Sequence, residues 1–239
     1  MRKWGMKLSI IIPVYNERRS IATVLKEVKS VGLPYGLDKE IIIVDDGSVD
    51  GTRKELERYG ADAEIKIMYR EKNEGKSSAV KAGIAMSTGA ILLIQDADLE
   101  YSPRDYPRLL DPIVKDGMPV VYGSRLKGRN TTMPLVNRLA NIASTITINL
   151  LYGARLSDVH TCFKVFRREI LSGIELTPRH FVFDIEVTAA LLKRGYTICE
   201  VPIGYVARTK RDGKKITWLQ AMELYWDIIK YRFRRNEPY

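Results

Sequence analysis

Residues 91–100 read Ile-Leu-Leu-Ile-Gln-Asp-Ala-Asp-Leu-Glu, an apolar run that ends among three carboxylates. The first part, Ile91–Gln95, has the length and composition of a buried strand. Carboxylates that close such a run are costly unless a cation compensates them. Since Mg²⁺ and Mn²⁺ prefer oxygen ligands of this kind, Asp96-Ala97-Asp98 favours a metal-binding strand end over a simple turn.

The pattern of an apolar run followed by polar residues recurs on both sides of this segment. From Lys7 to Ser124, short aliphatic runs alternate with helical patterns, as is typical of β-α-β units that build a parallel sheet. The predicted strands are Leu8–Ile12, Glu40–Val44, Ile65–Tyr69, Ile91–Gln95 and Pro119–Tyr122. The sequence therefore predicts an α/β fold with a mostly parallel sheet flanked by helices.

Polar motifs follow four of the predicted strands, and ligands of open α/β sheets bind beyond such strand ends. The motifs are Pro13–Glu17, Asp45–Ser48, Arg70–Lys76 and Asp96–Glu100. The second motif also suits a turn with a helix cap, so both interpretations remain open there. Arg70 and Lys76 surround a predicted helix start, which is a reasonable anion site. We expect the four motifs to face one cleft.

The regular alternation stops after Ser124. Arg125–Met133 is predicted to be a loop, and the elements that follow are a helix at Leu135–Tyr152, a strand at Phe163–Phe166, a helix at Asp184–Leu192 and a strand at Thr197–Val201. The segment Arg208–Lys215 carries five positive charges around a turn, which suits either a solvated loop or a clamp on phosphate.

The C-terminal segment Ile216–Arg235 has apolar residues at spacings of three and four and a basic end, which predicts an amphipathic helix. We expect one domain over residues 1–215, extended by residues 216–239. Aromatic residues beside basic ones are typical of membrane-interface helices. Part of the apolar stripe should pack on the domain, and part should contact a membrane surface.

The amino-acid composition limits which classes of binding partner and which cellular compartment are expected for the protein. The formal net charge of +10 favours an anionic partner, namely a nucleotide, a phospholipid surface or nucleic acid. Cys162 and Cys199 are far apart in apolar stretches, which favours free thiols in a reducing compartment. Neither a signal peptide nor a membrane-spanning run is expected. We expect a cytoplasmic protein that associates peripherally with a membrane.

Taken together, the motifs resemble the inverting family 2 glycosyltransferases of GT-A fold, in particular dolichyl-phosphate mannose synthases and related polyprenyl-phosphate glycosyltransferases. The resemblance spans nearly the whole chain and depends on Pro13–Glu17, Val44–Ser48 and Asp96–Asp98. It also includes Asp158–Lys164, which is similar to the family's Asp-x-x-x-Gly-Phe-Arg stretch with Cys162 in place of the usual glycine.

The resemblance implies roles for individual residues. Asp96, Asp98 and Glu100 would hold Mg²⁺ or Mn²⁺, although many synthases carry glutamine at the last position. The residues expected at the nucleotide sugar are Pro13, Tyr15, Glu17, Asp46, Ser48, Arg70, Lys76, Asp96 and Ala97. Those expected at the acceptor phosphate are Arg125, Arg138, Arg208 and Lys214. Asp98, Arg125 and Arg208 are the expected catalytic residues.

The implied reaction transfers mannose from GDP-mannose to dolichyl or polyprenyl phosphate with inversion. A phosphate nucleophile, with a second pKa of roughly 6, is largely ionised near neutral pH and needs no dedicated base. UDP-glucose is the alternative donor, because Asp184–Glu186 is similar to glucose-transferring relatives. A soluble acceptor is another alternative. A non-catalytic module for nucleic acid or anionic membrane would explain the charge but not the clustered carboxylates, so no nucleic-acid partner is expected.

Overall fold

A computed structural model describes residues 6–128, 131–174, 183–208, 228–229 and 231–233. Within these ranges the backbone forms seven strands in one sheet. The strands are β1 (Lys7–Val14), β2 (Asp38–Asp45), β3 (Ile65–Tyr69), β4 (Ile91–Ile94), β5 (Val120–Ser124), β6 (Lys164–Arg167) and β7 (Ile198–Pro202). Each strand predicted from the sequence is confirmed, with ends that move by at most two residues.

The helices of the described ranges connect these strands. They are α1 (Ile21–Ser30), α2 (Thr52–Glu57), α3 (Lys76–Met86), α4 (Tyr106–Val114), α5 (Leu135–Tyr152) and α6 (Phe183–Lys193). Short 3₁₀ turns occur at Pro34–Gly36, Pro103–Asp105 and Arg168–Leu171. The predicted bounds of α5 are confirmed, because the uninterrupted helical pattern ends at Gly153, which adopts the left-handed conformation that closes many helices.

The sheet has the order β3-β2-β1-β4-β6-β5-β7. Strands β1 to β4 are parallel where they pair, whereas β6 runs antiparallel to both neighbours. The predicted mostly parallel sheet is thus confirmed. Because β1, β2, β3 and β4 point the same way, the loops that follow them meet at one edge of the sheet, which we call the carboxyl edge.

The core explains why these segments became strands and crossover helices. Ile41–Ile43 of β2 and Ile91–Ile94 of β4 are buried on both faces, as expected for parallel strands covered by helices. Helix α1 covers one face through the residues Ile21, Val24, Leu25 and Val28, which recur at helical spacing. On α3, a Cβ at Gly83 would lie 2.5 Å from Ile11 Cγ2, so glycine permits the close approach to β1.

A second apolar cluster joins α5 and α6 to the C-terminal segment. Ile148 and Ile185 pack with Ile228, which is fully buried, and the Tyr231 hydroxyl donates to Glu186 Oε1 at 3.1 Å. Residues 228–229 and 231–233 are helical. The rest of the predicted amphipathic helix, Ile216–Arg235, lies outside the described residues. The division into residues 1–215 and 216–239 remains a prediction.

Two further expectations concern membranes and thiols. Among the residues described, none of the helices combines the length and the apolarity that crossing a bilayer demands. Cys162 is buried and Cys199 is half-buried.

Candidate functional site

The loops that follow β1 and β2 are fastened to each other at the carboxyl edge. Asn16 N donates to Ser48 Oγ at 2.9 Å, and Val49 N donates to Asn16 Oδ1 at 2.9 Å. Asn16 has a φ of +56°, a conformation that asparagine tolerates better than most residues. Two of the sequence motifs therefore form one rigid unit, in which Ser48 holds the backbone of the first motif.

Asp46 organises the start of α3. Its carboxylate accepts hydrogen bonds from Gly75 N at 2.7 Å and Arg70 Nη1 at 3.0 Å. The neighbouring Gly47 has a φ of +75°, and a Cβ there would lie 2.6 Å from the Lys72 carbonyl carbon. No other residue would fit without moving the loop. Asp46 thus positions Arg70 and the helix start, and both lie where a nucleotide sugar was predicted.

Asp96, at the end of β4, is paired with the first residue of α3. Lys76 Nζ lies 2.7 Å from Asp96 Oδ1. Burial lowers the pKa of Lys76, but Asp96, Cys162 and Asp184 together outweigh burial, and the pKa lies well above its ordinary value. Lys76 therefore remains a cation beneath the carboxyl edge, close to the carboxylate that was predicted to bind metal.

The negative charge of Asp98 is disfavoured by its surroundings. Burial raises its pKa, the charges of Asp96 and Glu100 raise it further, and the nearby Arg208 only partly opposes them, which gives a pKa of about 7. The next residue, Leu99, has a φ of +63°, a conformation that aliphatic residues rarely adopt. A carboxylate with a raised pKa in a strained loop is a candidate functional group.

Arg208 joins the loops after β1 and β4. Its Nη1 donates to the two Glu17 carboxylate oxygens at 2.9 and 3.1 Å, and its Nη2 donates to Asp98 Oδ2 at 2.9 Å. Glu100 fixes the backbone that carries this arginine, because it accepts from Arg208 N at 2.8 Å and from the Tyr205 hydroxyl at 2.9 Å. One guanidinium therefore bridges two carboxylates from distant parts of the chain.

The donor types at this centre fit a hard divalent cation. Asp96 and Asp98 supply carboxylate oxygens, and a cation would relieve the charge that raises the pKa of Asp98. Across the described ranges, however, no three His, Cys, Asp or Glu side chains are grouped to hold one metal ion. Lys76 and Arg208 contact the two aspartates, while Glu100 contacts Tyr205 and the Arg208 backbone.

Arg125, predicted to contact acceptor phosphate, forms a buried pair with Asp158. Its Nε and Nη2 each lie 2.8 Å from the carboxylate, and Asn141 Nδ2 donates to the same group at 2.7 Å. The guanidinium also lies over the Tyr205 ring, 5.0 Å from its centroid. In this conformation Arg125 connects β5, α5 and the loop after α5.

The predicted site residues fall into three groups. Arg208 contacts Glu17, Asp98 and Glu100 directly. Asp96 with Lys76 and Asp46 with Arg70 form two further pairs. Pro13 and Tyr15 are half-buried at the end of β1, and Ala97 is buried. Arg138 lies on the exposed beginning of α5, and Lys214 lies outside the described residues.

The sequence reasoning did not assign a role to a second buried pair. Lys164 Nζ, which is fully buried, lies 2.8 Å from Asp184 Oδ1 at the start of α6. Burial raises the pKa of Asp184, but the charges of Lys164 and Lys76 lower it below its ordinary value, so this pair adjoins the Asp96–Lys76 pair. The sequence feature that could have indicated this pair is Lys164, which occupies the position of arginine in the family's Asp-x-x-x-Gly-Phe-Arg stretch.

Comparison with known proteins identifies relatives along the same stretch. The sequence model of glycosyl transferase family 2 matches residues 9–174. A dolichyl-phosphate hexose transferase of Haloferax volcanii is 32% identical over 208 residues, covering 86% of each chain. A dolichol-phosphate mannosyltransferase of Pyrococcus furiosus is 30% identical over 215 residues, which is 87% of this chain but 59% of that protein. A dolichyl-phosphate beta-glucosyltransferase of Dictyostelium discoideum is 29% identical and covers 95% of this chain and 74% of its own.

A solved structure shares the fold. Glucosyl-3-phosphoglycerate synthase from Mycobacterium tuberculosis, in complex with Mn²⁺, uridine diphosphate and glucosyl-3-phosphoglycerate, superposes with a TM-score of 0.73 at 20% identity. The superposition covers 96% of this chain and 79% of that one. The predicted GT-A type α/β fold is thereby confirmed.

Proposed function

The chain belongs to glycosyl transferase family 2, and from this premise we propose that it transfers a sugar from a nucleotide sugar to a polyprenyl or dolichyl phosphate. The observation that carries the proposal is the Arg208 bridge between Glu17 and Asp98 at the carboxyl edge. Membership of this family confirms the prediction of an enzyme, a glycosyltransferase. The acceptor class is supported by the printed names of the Haloferax, Pyrococcus and Dictyostelium relatives.

The donor is proposed to be GDP-mannose. The mannosyltransferase of P. furiosus supports mannose, although this chain spans 59% of that relative's length. UDP-glucose is the second candidate, favoured by the Dictyostelium glucosyltransferase and by Asp184 at the start of α6. Both donors present a diphosphate, so the same cations, Lys76, Arg70 and Arg208, would face the leaving group.

The geometry suggests how these residues act. Arg208 holds Glu17 and Asp98 together, so an arriving diphosphate offers this guanidinium a second set of oxygens at the same place. Lys76 keeps its proton because of Asp96 and adds a fixed positive charge. Preorganised charges of this kind stabilise a leaving diphosphate without reorganisation during the reaction. Arg125 would attract the acceptor phosphate. One of its ionised oxygens would attack the anomeric carbon of the sugar without a general base, while the bond from that carbon to the nucleoside diphosphate breaks and the diphosphate leaves.

Asp96 and Asp98, with Glu100, are proposed to hold Mg²⁺ or Mn²⁺. When bound, the ion supplies positive charge to the diphosphate. Arg208 must then share Asp98 with the ion or move to the donor. Glu100 keeps the 205–208 segment near the site through Tyr205 and the Arg208 backbone, whichever ligand set the ion adopts.

The experiment that tests the proposal incubates the purified protein with Mg²⁺ or Mn²⁺, a polyprenyl phosphate and either GDP-mannose or UDP-glucose, with and without chelator. Chelator-sensitive mannolipid would support reaction, donor and acceptor together. Glucolipid would retain the reaction and change the donor. Hydrolysis of a nucleotide sugar without any transfer to lipid would contradict the proposed acceptor.

A further inference from the structure

One buried ammonium group holds the backbone of a turn in the connection between α5 and β6. We call residues 158–162 the 158–162 turn. Lys164 Nζ donates to the carbonyl oxygen of Val159 at 3.1 Å and also to that of Thr161. These two carbonyl groups belong to the residues on either side of His160. The backbone therefore holds His160 in a defined place.

His160 is the half-buried residue of the 158–162 turn. The other four residues are buried, namely Asp158, Val159, Thr161 and Cys162. The hydrogen bonds described for the turn use its backbone and these other side chains, so the imidazole is not needed to hold it. A side chain with access to solvent on a firmly held loop is well suited to contact a ligand.

The sheet places the 158–162 turn at the carboxyl edge. Strand β6 runs antiparallel to β4 and to β5, so the chain that precedes β6 lies beside the ends of both strands. On the β4 side, Cys162 Sγ donates to Ile94 O at 3.8 Å, two residues before Asp96. On the β5 side, Arg125 N donates to Asp158 Oδ2 at 2.9 Å. The turn therefore lies between the predicted donor and metal site and the arginine that was predicted to contact acceptor phosphate.

The proposed reaction places a hexose in the same interval. The acceptor oxygen attacks the carbon that the diphosphate leaves, so the hexose lies between the acceptor phosphate and the leaving diphosphate. The side chains proposed to meet these two anionic groups are cations, with Lys76 and Arg208 on the donor side and Arg125 on the acceptor side. A residue of the 158–162 turn lies between them, where the hexose has to be.

The imidazole of His160 is uncharged near neutral pH. Burial lowers its pKa to about 4, and charged groups from both sides of the turn act on the ring. Two carboxylates raise the pKa and two cations lower it; they are Asp184 and Asp158, and Arg125 and Lys164. A neutral imidazole has one nitrogen that donates and one that accepts a hydrogen bond. A hexose hydroxyl group also donates and accepts, whereas an ionised phosphate calls for donors with positive charge.

We propose that His160 forms a hydrogen bond with a hydroxyl group of the transferred hexose and is a specificity-determining residue of this chain. The inference deepens the proposed function and rests on it, because it requires a nucleotide sugar at the carboxyl edge. It gives the buried Lys164 a positioning role, since that ammonium group fixes the backbone on both sides of the imidazole.

Calorimetric titration without acceptor tests the contact. GDP-mannose and UDP-glucose are each compared, in the presence of Mg²⁺, with GDP and UDP, which lack the hexose. His160→Ala should bind the nucleotide sugar about tenfold more weakly than wild type and the nucleoside diphosphate equally well, because one neutral hydrogen bond is lost. His160→Gln, which keeps a donor and an acceptor, should recover part of the loss. Equal weakening for both ligands would overturn the proposal.

Ser157→Ala is the matched control for a merely structural effect. Ser157 precedes the turn, and its hydroxyl donates to Glu200 Oε2 at 2.8 Å. The control variant should lose stability in urea and keep the wild-type ratio of the two affinities. If it weakened nucleotide-sugar binding selectively, as His160→Ala is expected to do, the effect would belong to the loop as a whole and the proposal would fail.

Donors that lack single hydroxyl groups identify the contact. One deoxy donor should bind wild type about tenfold more weakly than the full donor and should bind His160→Ala as well as the full donor does, because the contact is already absent. If each deoxy donor lost as much affinity in the variant as in wild type, His160 would contact none of the hydroxyl groups.

The affinity ratio of wild type to His160→Gln should be constant from about pH 6 to pH 8, since the imidazole is neutral throughout. A ratio that rose as the pH fell towards 6 would indicate a charged ring on a phosphate group and would overturn the sugar contact.

Transfer to polyprenyl phosphate tests the proposed function separately. Binding of a nucleotide sugar that depends on His160, without transfer to this lipid, would remove the proposed acceptor and leave the hexose contact standing. Transfer with the same kcat/KM for the donor in wild type and His160→Ala would retain the function and overturn the contact. Failure of wild type to bind either nucleotide sugar would overturn both.

Discussion

Two carboxylates with little exposure to water lie at opposite edges of the same sheet, and their surroundings shift their pKa values in opposite directions. Glu40, near the beginning of β2, has a pKa of about 2, whereas Asp98, beyond the end of β4, has a pKa of about 7. Both are largely removed from water, and burial raises the pKa of each. The difference therefore arises from what surrounds them.

Glu40 is surrounded by hydrogen-bond donors. Its Oε1 accepts from Ser9 Oγ at 2.6 Å, from Thr88 N at 2.5 Å and from Gly89 N at 3.1 Å, and Lys66 Nζ lies 2.9 Å from Oε2. These donors outweigh burial and stabilise the charged form. This clamp joins β1, β2 and the turn before β4, so it is built for stability.

Asp98 is surrounded by other carboxylates. Asp96 and Glu100 repel its charge, and Arg208, shared with Glu17, compensates only in part. The charge of Asp98 is therefore only partly compensated, which agrees with the proposal that a divalent cation binds there together with the diphosphate. The comparison teaches that hydrogen bonds at one edge of the sheet make a buried charge stabilising, whereas the carboxyl edge leaves the charge of Asp98 poorly compensated, as the proposed ligand site requires.

The largest expected effect is on the activity of Asp98→Asn. We predict a loss of about 10²–10³-fold in kcat for transfer to polyprenyl phosphate, as for the removal of one preorganised group at a reacting charge. The free energy of unfolding in urea with chelator should not fall and should rise by about 1 kcal/mol, because a disfavoured charge is removed. Undiminished metal-dependent turnover would contradict the role of Asp98.

A smaller loss of activity is predicted for Arg208→Gln. This variant loses the guanidinium that donates to both Glu17 and Asp98, and its kcat should fall by about 10²-fold. Arg208→Lys should recover only part of this loss, because one ammonium cannot hold both carboxylates. Arg168→Gln is a matched control at the other edge, where the guanidinium donates to Gly89 O at 2.7 Å. The control should lose stability and keep kcat; equal kcat for both variants would remove Arg208 from the mechanism.

The sequence predicts the carboxylates at the carboxyl edge of the sheet, but it does not predict the surroundings of Glu40 at the opposite edge. Asp96 and Asp98 follow an aliphatic run, so local pattern sufficed to place them at a strand end. Glu40 begins a strand with no motif around it, and its donors Ser9 and Gly89 are distant in the chain. The Arg208 bridge likewise depends on a contact across 191 positions, which periodicity does not reveal.

For the clamp itself, Glu40→Gln should lower the free energy of unfolding by about 2–3 kcal/mol at neutral pH, with kcat per folded molecule unchanged. The folded pKa is depressed, so the contribution of Glu40 is present above about pH 4.5 and is lost as the pH falls towards 2. The difference between wild type and variant should be constant from pH 5 to 7 and about half as large at pH 3. A difference independent of pH would show that shape, not charge, is responsible.

The smallest expected change in the free energy of unfolding is for Lys66, the ion-pair partner of Glu40. Comparing it with the loss of a hydrogen-bond donor shows which of the two stabilises the charge of Glu40. The Lys66 side chain is 43% exposed, and exposed ion pairs contribute little, so Lys66→Met should cost less than about 0.5 kcal/mol in urea unfolding. Ser9→Ala removes a buried hydroxyl that donates to Glu40 and accepts from Gly89 N at 2.9 Å, and should cost about 1–2 kcal/mol. If the lysine variant were the more damaging, the low pKa of Glu40 would depend on a compensating cation, and the two edges would differ only in how many cations each holds.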